Sequence, residues 1–374
     1  MGSGEKLRVG VIGCGAGKFH VEGYAAEPRV DLVALAGMDT ERCHEIANQY
    51  SIPHVYQDFT ELLAHPHIDA VSIAVPNHLH LPIAVAAFEA GKHVLVEKPL
   101  ARNVEEGQAM LDAAKRAGKI LSISFNRRSR HDMSLLRKEV ERGRFGRIYH
   151  AKAFWMRRSG IPGLGSWFTN KDQAGGGPLI DLGVHILDMS LWLLGNPRVE
   201  RISAATYAEL GPAGKGQWQG GRFTIAPNAR YEVEDFATAL LRMENGITLQ
   251  LDASWAAFTR HTDEFGVSLM GSHGGAEIHA KDYAQVGTLK LFGDIDGVPT
   301  VTEPLLQTTH GHGLIIRQFV DSIVDGAPVN PSGEEGLDRV RLIEAIYESA
   351  AKGQEIQVDT ILADSSAPER SAAS

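Results

Sequence analysis

Between Leu7 and Phe125, short apolar runs alternate with stretches of helical periodicity. This alternation limits the fold more than any other feature of the chain. Candidate strands lie at residues 7–12, 31–38, 70–75, 93–96 and 120–125. Candidate helices lie between and after them, at 18–26, 41–50, 79–90 and 104–117. Two of these helices run into Gly91 and Gly118, where a residue without Cβ closes a helix easily. The strands are apolar almost throughout, so both of their faces are expected to be buried. Buried strands alternating with helices call for parallel βαβ units rather than hairpins.

At the first strand-to-helix turn the sequence reads VGVIGCGAGKFH. Gly13 and Gly15 there allow a tight turn and close approach of a pyrophosphate, with the next helix supplying an anion site at its N-terminus. Asp39 ends the second strand, where a carboxylate can accept from an adenosine ribose diol. Two other readings fit the same residues: a plain βα turn with Asp39 capping the following helix, or a methyltransferase loop. Counting G-x-G-x-x-G from Gly13 puts Lys18 at the third glycine, with Gly17 one residue early. Further along, the fourth strand runs into Pro76-Asn77-His78-Leu79-His80 and the fifth into Glu97-Lys98-Pro99. Both motifs fall at C-terminal strand ends, where open α/β sheets bind ligands.

After about residue 127 the character changes. A helix is expected at 134–142, followed by strands at 147–158, 199–207, 236–243, 247–255, 264–270, 276–279 and 288–292. Asn245-Gly246 is a hairpin signal within that series. A mostly antiparallel sheet follows. Residues 211–228 read as a long loop, helices close the chain at 312–325 and 334–351, and residues 363–374 read as a disordered tail. Between Gly175 and Gly195 lies GGGPLIDLGVHILDMSLWLLG, expected as one helix with Pro178 in its first turn. Asp181, His185 and Asp188 would share one face of it, at i, i+4 and i+7. A histidine backed by a carboxylate one turn earlier is a candidate general base, or else a satisfied core pair.

Composition narrows the classes further. The 374 residues have room for about two domains, and 37 basic against 46 acidic residues give a net charge of −9, unsuited to sequence-independent nucleic-acid binding. Apolar runs are shorter than a membrane span, and the N-terminus lacks a signal-peptide stretch, so a cytoplasmic protein is expected. Cys14 and Cys43 are the two cysteines. They cannot build a disulfide framework, and Cys14 is expected as a small packing residue. The pairs His65-x-His67, His78-x-His80 and His310-x-His312 lack framing ligands, so no metal is expected.

Taken together, GCGAG, Asp39, PNHLH, EKP and GGGPLIDLGVHILD, in that order, resemble the Gfo/Idh/MocA oxidoreductase family, the glucose-fructose oxidoreductase and inositol dehydrogenase group. The resemblance spans about residues 7–358. It implies an α/β fold, with an N-terminal Rossmann domain over 1–126 and a C-terminal domain over 127–362 carrying an open, mostly antiparallel sheet. It implies that Lys98, Asp181 and His185 carry the chemistry: His185 as base, Lys98 on the reacting oxygen, Asp181 orienting His185. Cofactor contacts would come from Gly13, Gly15, Ala16, Gly17, Lys18, Phe19, Asp39, Pro76, Asn77, His80, Glu97 and Lys98. The substrate pocket would add Asn126, Arg128, Trp155 and Trp167. The implied activity is hydride transfer between a secondary alcohol of a sugar, cyclitol or glycoside and NAD, in preference to NADP. Association as a homodimer or homotetramer through the C-terminal sheet is implied as well. A redox-neutral enzyme that cleaves glycosides with tightly bound NAD, and a ligand-sensing regulator, are the alternatives.

Overall fold

A computed structural model describes residues 6–220 and 230–358. Part of the expected 211–228 loop and the whole 363–374 tail lie outside the described residues. The first sheet contains β1 (Leu7–Ile12), β2 (Val30–Ala36), β3 (His54–Tyr56), β4 (Ala70–Ile73), β5 (His93–Val96) and β6 (Leu121–Ile123). Their order is β3-β2-β1-β4-β5-β6, and every pairing is parallel. The order reverses direction between β1 and β4, which opens a crevice at their C-terminal ends. Strand β3 was not expected from the sequence. It is a three-residue edge strand with an exposed to half-buried pattern, so it carries no apolar run. The helices cover both faces of this sheet. Val104–Ala117 shows how sequence bounds them: Asn103 accepts from the Glu106 amide at its start, and Gly118 takes φ 62° at its end.

The second sheet contains β7 (Ile148–Arg157), β8 (Val199–Tyr207), β9 (Phe236–Met243), β10 (Thr248–Ser254), β11 (Asp263–Gly271), β12 (Gly275–Lys281), β13 (Leu289–Ile295), β14 (Val298–Thr302) and β15 (Ile356–Gln357). They run β14-β13-β12-β11-β7-β10-β9-β8-β15. All of these pairings are antiparallel except β7 with β10. Alternate residues bury one face: Ala151, Ala153 and Trp155 on β7, and Leu249, Leu251 and Ala253 on β10. That face packs against the segment that contains His185.

That segment is not one uniform helix. Leu179–Gly183 forms a π-helical turn, and an α-helix follows over Val184–Leu194. A π turn takes more residues per revolution, so Asp181 is rotated off the face that regular helical spacing predicted. The stretch Lys171–Leu194 is long and apolar enough by composition to cross a membrane, but 83% of its most apolar window is buried inside the protein. It is a core element.

Two helices precede the short final strand β15. Gly311–Val324 sends Ile315, Ile316, Phe319 and Val320 into one cluster with Val9, Val11, Val21 and Tyr24 of the first sheet and its first helix. Gly333–Lys352 begins with a reciprocal capping box between Ser332 and Glu335. One sequence expectation needs correction. Cys14 and Cys43 are joined as a disulfide, with Cα atoms 5.7 Å apart. Cys14 is therefore not a plain packing residue. Gly37 lies beside both sulfurs, at the end of β2, and its missing side chain leaves room for them.

Candidate active site

A cleft of about 980 Å³ crosses the C-terminal edge of the first sheet. At one end it is lined by Gly13, Gly15, Asp39 and Arg42, and at the other by Lys98, Trp167 and Asp181. The glycine loop fits a pyrophosphate. Gly13 has φ 108°, and a Cβ there would lie 2.1 Å from the Ala74 carbonyl oxygen. A Cβ at Gly15 would meet nothing within 4 Å, so its backbone is open to a ligand. The early Gly17 takes the role of the third glycine: a Cβ there would sit 3.1 Å from Val11, where helix and strand pack closely. Ala16, Pro76, Asn77 and Glu97 also line the cleft. Asp39 accepts from the Arg42 amide at 3.1 Å, so it caps its helix and lines the cleft together.

At the far end, Lys98 Nζ donates to Asp181 Oδ1 at 2.8 Å and to the Asp181 carbonyl at 3.1 Å. Trp255 Nε1 donates to Asp181 Oδ2 at 2.9 Å. Both carboxylate oxygens are thus taken, and Asp181 does not hydrogen-bond His185. The expectation that Asp181 orients the imidazole is corrected: Asp181 holds Lys98. Burial works to raise the Asp181 carboxyl, but the charges of Lys98 and Arg157 and its hydrogen bonds hold it below the ordinary range. His185 is buried in the first turn of its helix, and its Nδ1 has no partner. Burial, then the positive charges of Lys98 and Arg127, push its pKa well below the usual histidine value. It is a neutral imidazole at pH 7.

Glu97 anchors this end from behind. His20 Nε2 lies 2.8 Å and His312 Nε2 3.3 Å from the same Glu97 oxygen. His20 Nδ1 meets Ser72 Oγ, which meets the Tyr24 hydroxyl. Burial opposes the Glu97 charge, yet the two histidine contacts win and hold its carboxyl well below normal. The donor types of His20, Glu97 and His312 would suit a metal, and their atoms lie within 4.8 Å of one another. Hydrogen bonding to a carboxylate accounts for the same arrangement. Neither His20 nor His312 was singled out in this role by sequence, because 292 positions separate two side chains that meet only in the fold.

Several expected residues stand elsewhere. Lys18 pairs with Glu22 at 3.9 Å, and Phe19 stacks on His312, so neither lines the cleft. His80 is fully buried. Its nitrogens contact the carbonyls of Pro99 and Val75, so it ties the PNHLH turn to the EKP turn from beneath. Arg128 is buried against Asp188, and Arg339 approaches the same carboxylate, so Arg128 and Asp188 form a core ion cluster away from the cleft. Trp155 is buried, donating to Asp263 at 2.8 Å, and its ring lies 5.5 Å from that of His185. Asn126 Nδ2 lies 3.1 Å from His312 Nε2. Trp167 lines the cleft and stacks on Phe168 at 3.8 Å. Sequence reading missed Trp255, Phe168 and Arg127. The Arg127-Arg128 doublet just after β6, at a C-terminal strand end, was the available signal for the last.

A parallel sheet in this order, a glycine turn at its crevice and a part-buried Lys–Asp pair beside a neutral histidine define a dinucleotide-dependent oxidoreductase. The profile of the Gfo/Idh/MocA oxidoreductase family, NAD-binding Rossmann fold, matches residues 7–125, and that of the family's C-terminal domain matches 133–277. The chain belongs to this family. It is 33% identical to the D-glucoside 3-dehydrogenase of Escherichia coli (strain K12), over 94% of this chain and 97% of that one. It is 31% identical to the levoglucosan dehydrogenase of Pseudarthrobacter phenanthrenivorans, over 96% and 100% of the two chains. A solved levoglucosan dehydrogenase in complex with NADH superposes with a TM-score of 0.84 at 27% identity, covering 96% of this chain and all of the other. The protein is an NAD-dependent oxidoreductase.

Proposed function

We propose that this protein oxidises a secondary alcohol of a sugar, cyclitol or glycoside, reversibly, with Lys98, Asp181 and His185 as its working residues. The observation that carries this reading is the Lys98–Asp181 pair, at 2.8 Å, in the lining of the dinucleotide cleft and beside a neutral His185. The nicotinamide, when bound, supplies the hydride acceptor. His185 takes the hydroxyl proton, since a buried imidazole near cations is uncharged and free to accept. Lys98 donates a hydrogen bond to the same oxygen and stabilises the developing alkoxide. Asp181 is a positioning residue that fixes Nζ through both its side chain and its carbonyl. Trp255 in turn fixes Asp181. The names of the dehydrogenase relatives support a carbohydrate substrate. Asn126 and Trp167 are proposed to face it.

Asp39 favours NAD, because a carboxylate accepts from ribose hydroxyls and repels a 2′-phosphate. The nucleotide and substrate domains are proposed to meet near residue 126. A homodimer or homotetramer is proposed through the outward face of the second sheet, where the apolar Phe154, Leu240 and Met270 remain only half-buried. A cytoplasmic location is proposed with it. The test is a panel of glycosides, anhydrosugars and inositols, followed by NADH absorbance, beside a mass spectrum of nucleotide released on denaturation. Turnover with added NAD supports the dehydrogenase. Retained nucleotide with no net NADH would replace it with a redox-neutral enzyme, and binding without turnover of any substrate with a sensor.

A further inference from the structure

The Cys14–Cys43 disulfide crosses between two parts of the nucleotide cleft. Cys14 stands between Gly13 and Gly15 in the turn after β1, and Cys43 in the helix Thr40–Tyr50 that follows β2. Gly15 is open to a pyrophosphate, and Asp39, the N-cap of that helix, lines the cleft where the ribose is expected. The Cα atoms lie 5.7 Å apart, an ordinary disulfide span. The bond thus ties the phosphate turn to the ribose turn.

The ribose turn depends on that tie. The Gly13 amide donates to the Ala36 carbonyl at 2.8 Å, at the end of β2. Past that point Met38, Asp39, Thr40 and Glu41 are exposed, and Cys43 is the first buried residue of the helix. Packing around the sulfurs leaves little slack. Cys43 is fully buried, and a Cβ on Gly37 would come within 2.8 Å of Cys14 Sγ and 2.9 Å of Cys43 Sγ. Unbonded sulfurs need more separation than bonded ones. A crystal-dense interior yields it by moving the elements that carry them.

We propose that Cys14 and Cys43 are a redox modification site that sets nucleotide affinity: the disulfide holds the two turns in register for NAD, and the dithiol releases them. The reductant is a small thiol, RSH. Its thiolate attacks the sulfur of Cys14, the member of the pair that lines the cleft, and Cys43 leaves as a thiolate. A second RSH breaks the mixed disulfide. Two RSH become RSSR, and the protein gains two electrons and two protons as two thiols. RSSR reverses the change. In the cytoplasmic location proposed above, a disulfide is usually transient and redox-sensing rather than a permanent staple. The inference is independent of which sugar is oxidised.

The experiment equilibrates the full chain in glutathione buffers of graded potential. Alkylation and intact mass count the free thiols, and NADH is titrated by fluorescence at each potential. NADH is expected to bind about 10-fold more weakly to the dithiol form, within the range typical of coupled sites. Linkage then requires saturating NADH to lower the midpoint potential of the pair by about 30 mV, the equivalent of tenfold in a two-electron couple. Cys43→Ala should bind NADH as the dithiol form does, at every potential. Equal affinity in the two forms, or tighter binding by the dithiol, would overturn the inference. So would a bond that stays closed at the cytosolic glutathione poise, two free thiols at every potential, or a potential-dependent affinity that survives in Cys43→Ala. The two forms of the unmodified protein decide the matter alone should the variant fold poorly.

Discussion

Asp188 offers a sharp test of how the helix after the π turn divides its work, because regular spacing put it on the same face as His185. In the structure it is 1% exposed and receives Arg128 Nε at 2.8 Å and Arg339 Nε at 3.3 Å. Asp188→Ala would leave two buried guanidinium groups short of their shared carboxylate. Breaking a buried pair from one side costs about 3–5 kcal/mol. Arg128 keeps Glu335 at 3.0 Å and Arg339 keeps Asp338 at 2.6 Å, so the lower part of that range is expected. For a chain of 374 residues the unfolding entropy is roughly 0.8 kcal/mol per degree, which converts the loss to a fall of about 4–5 °C in Tm. Differential scanning calorimetry at one fixed scan rate measures it, since unfolding of a large chain is often irreversible. Asp188→Asn keeps the acceptor without the charge and should fall between. NAD affinity should stay within about twofold, because Asp188 does not line the cleft. An unchanged Tm with NAD binding weakened tenfold would refute the reasoning and return Asp188 to the site.

Other outcomes follow from the same geometry. His185→Ala should lower kcat by roughly 10²- to 10⁴-fold with NAD binding retained, as measured by steady-state kinetics and fluorescence titration. Lys98→Met should reduce turnover with the circular dichroism of the unmodified protein retained, and Tm should fall by a few degrees because Asp181 keeps Trp255 but loses its ammonium partner; loss of soluble protein instead would make Lys98 structural. Because the pKa of His185 lies below the ordinary 6.5, its base form persists as pH falls through 6.5, and the acid limb of kcat/KM should appear below that value. Burial also lowers the pKa values of His20, His80 and His93. The unfolded chain therefore binds more protons below 6.5, and denaturation midpoints should drop as pH is taken from 6.5 towards 4. Asp39→Ala should weaken NAD and relatively improve NADP; an unmodified enzyme that prefers NADP would show that Asp39 is not at the ribose.

The parts of the fold that could be read from the sequence are those where a local signal and the tertiary result coincide. The helix Val104–Ala117 was bounded to the residue because Asn103 and Gly118 act within one turn of its ends. Strand β14 went unseen because it is an exposed edge with no buried residue to set a pattern. The catalytic candidates were legible as types, since Lys98 precedes a proline and Asp181 and His185 sit in an apolar run. Their partnership was not. Spacing of four assumed α-helical rotation, and the π turn at Leu179–Gly183 breaks that assumption. Arg128 leaves its expected place in the substrate pocket for a related reason: adjacent residues in a short 3₁₀ turn point to different sides, and only the fold tells which side holds Asp188.

The docking of Gly311–Val324 against the first helix has a consequence in time. The nucleotide-binding sheet is complete once β6 has been made, but Val21 and Tyr24 stay uncovered until Ile315, Ile316 and Phe319 arrive from roughly 200 residues further along. At ribosomal rates that interval is on the order of 10–40 s. During it the nascent chain carries an open apolar flank on its first helix. The nascent protein should depend on holdase chaperones over that window, and a chain stopped before residue 311 should aggregate through that flank.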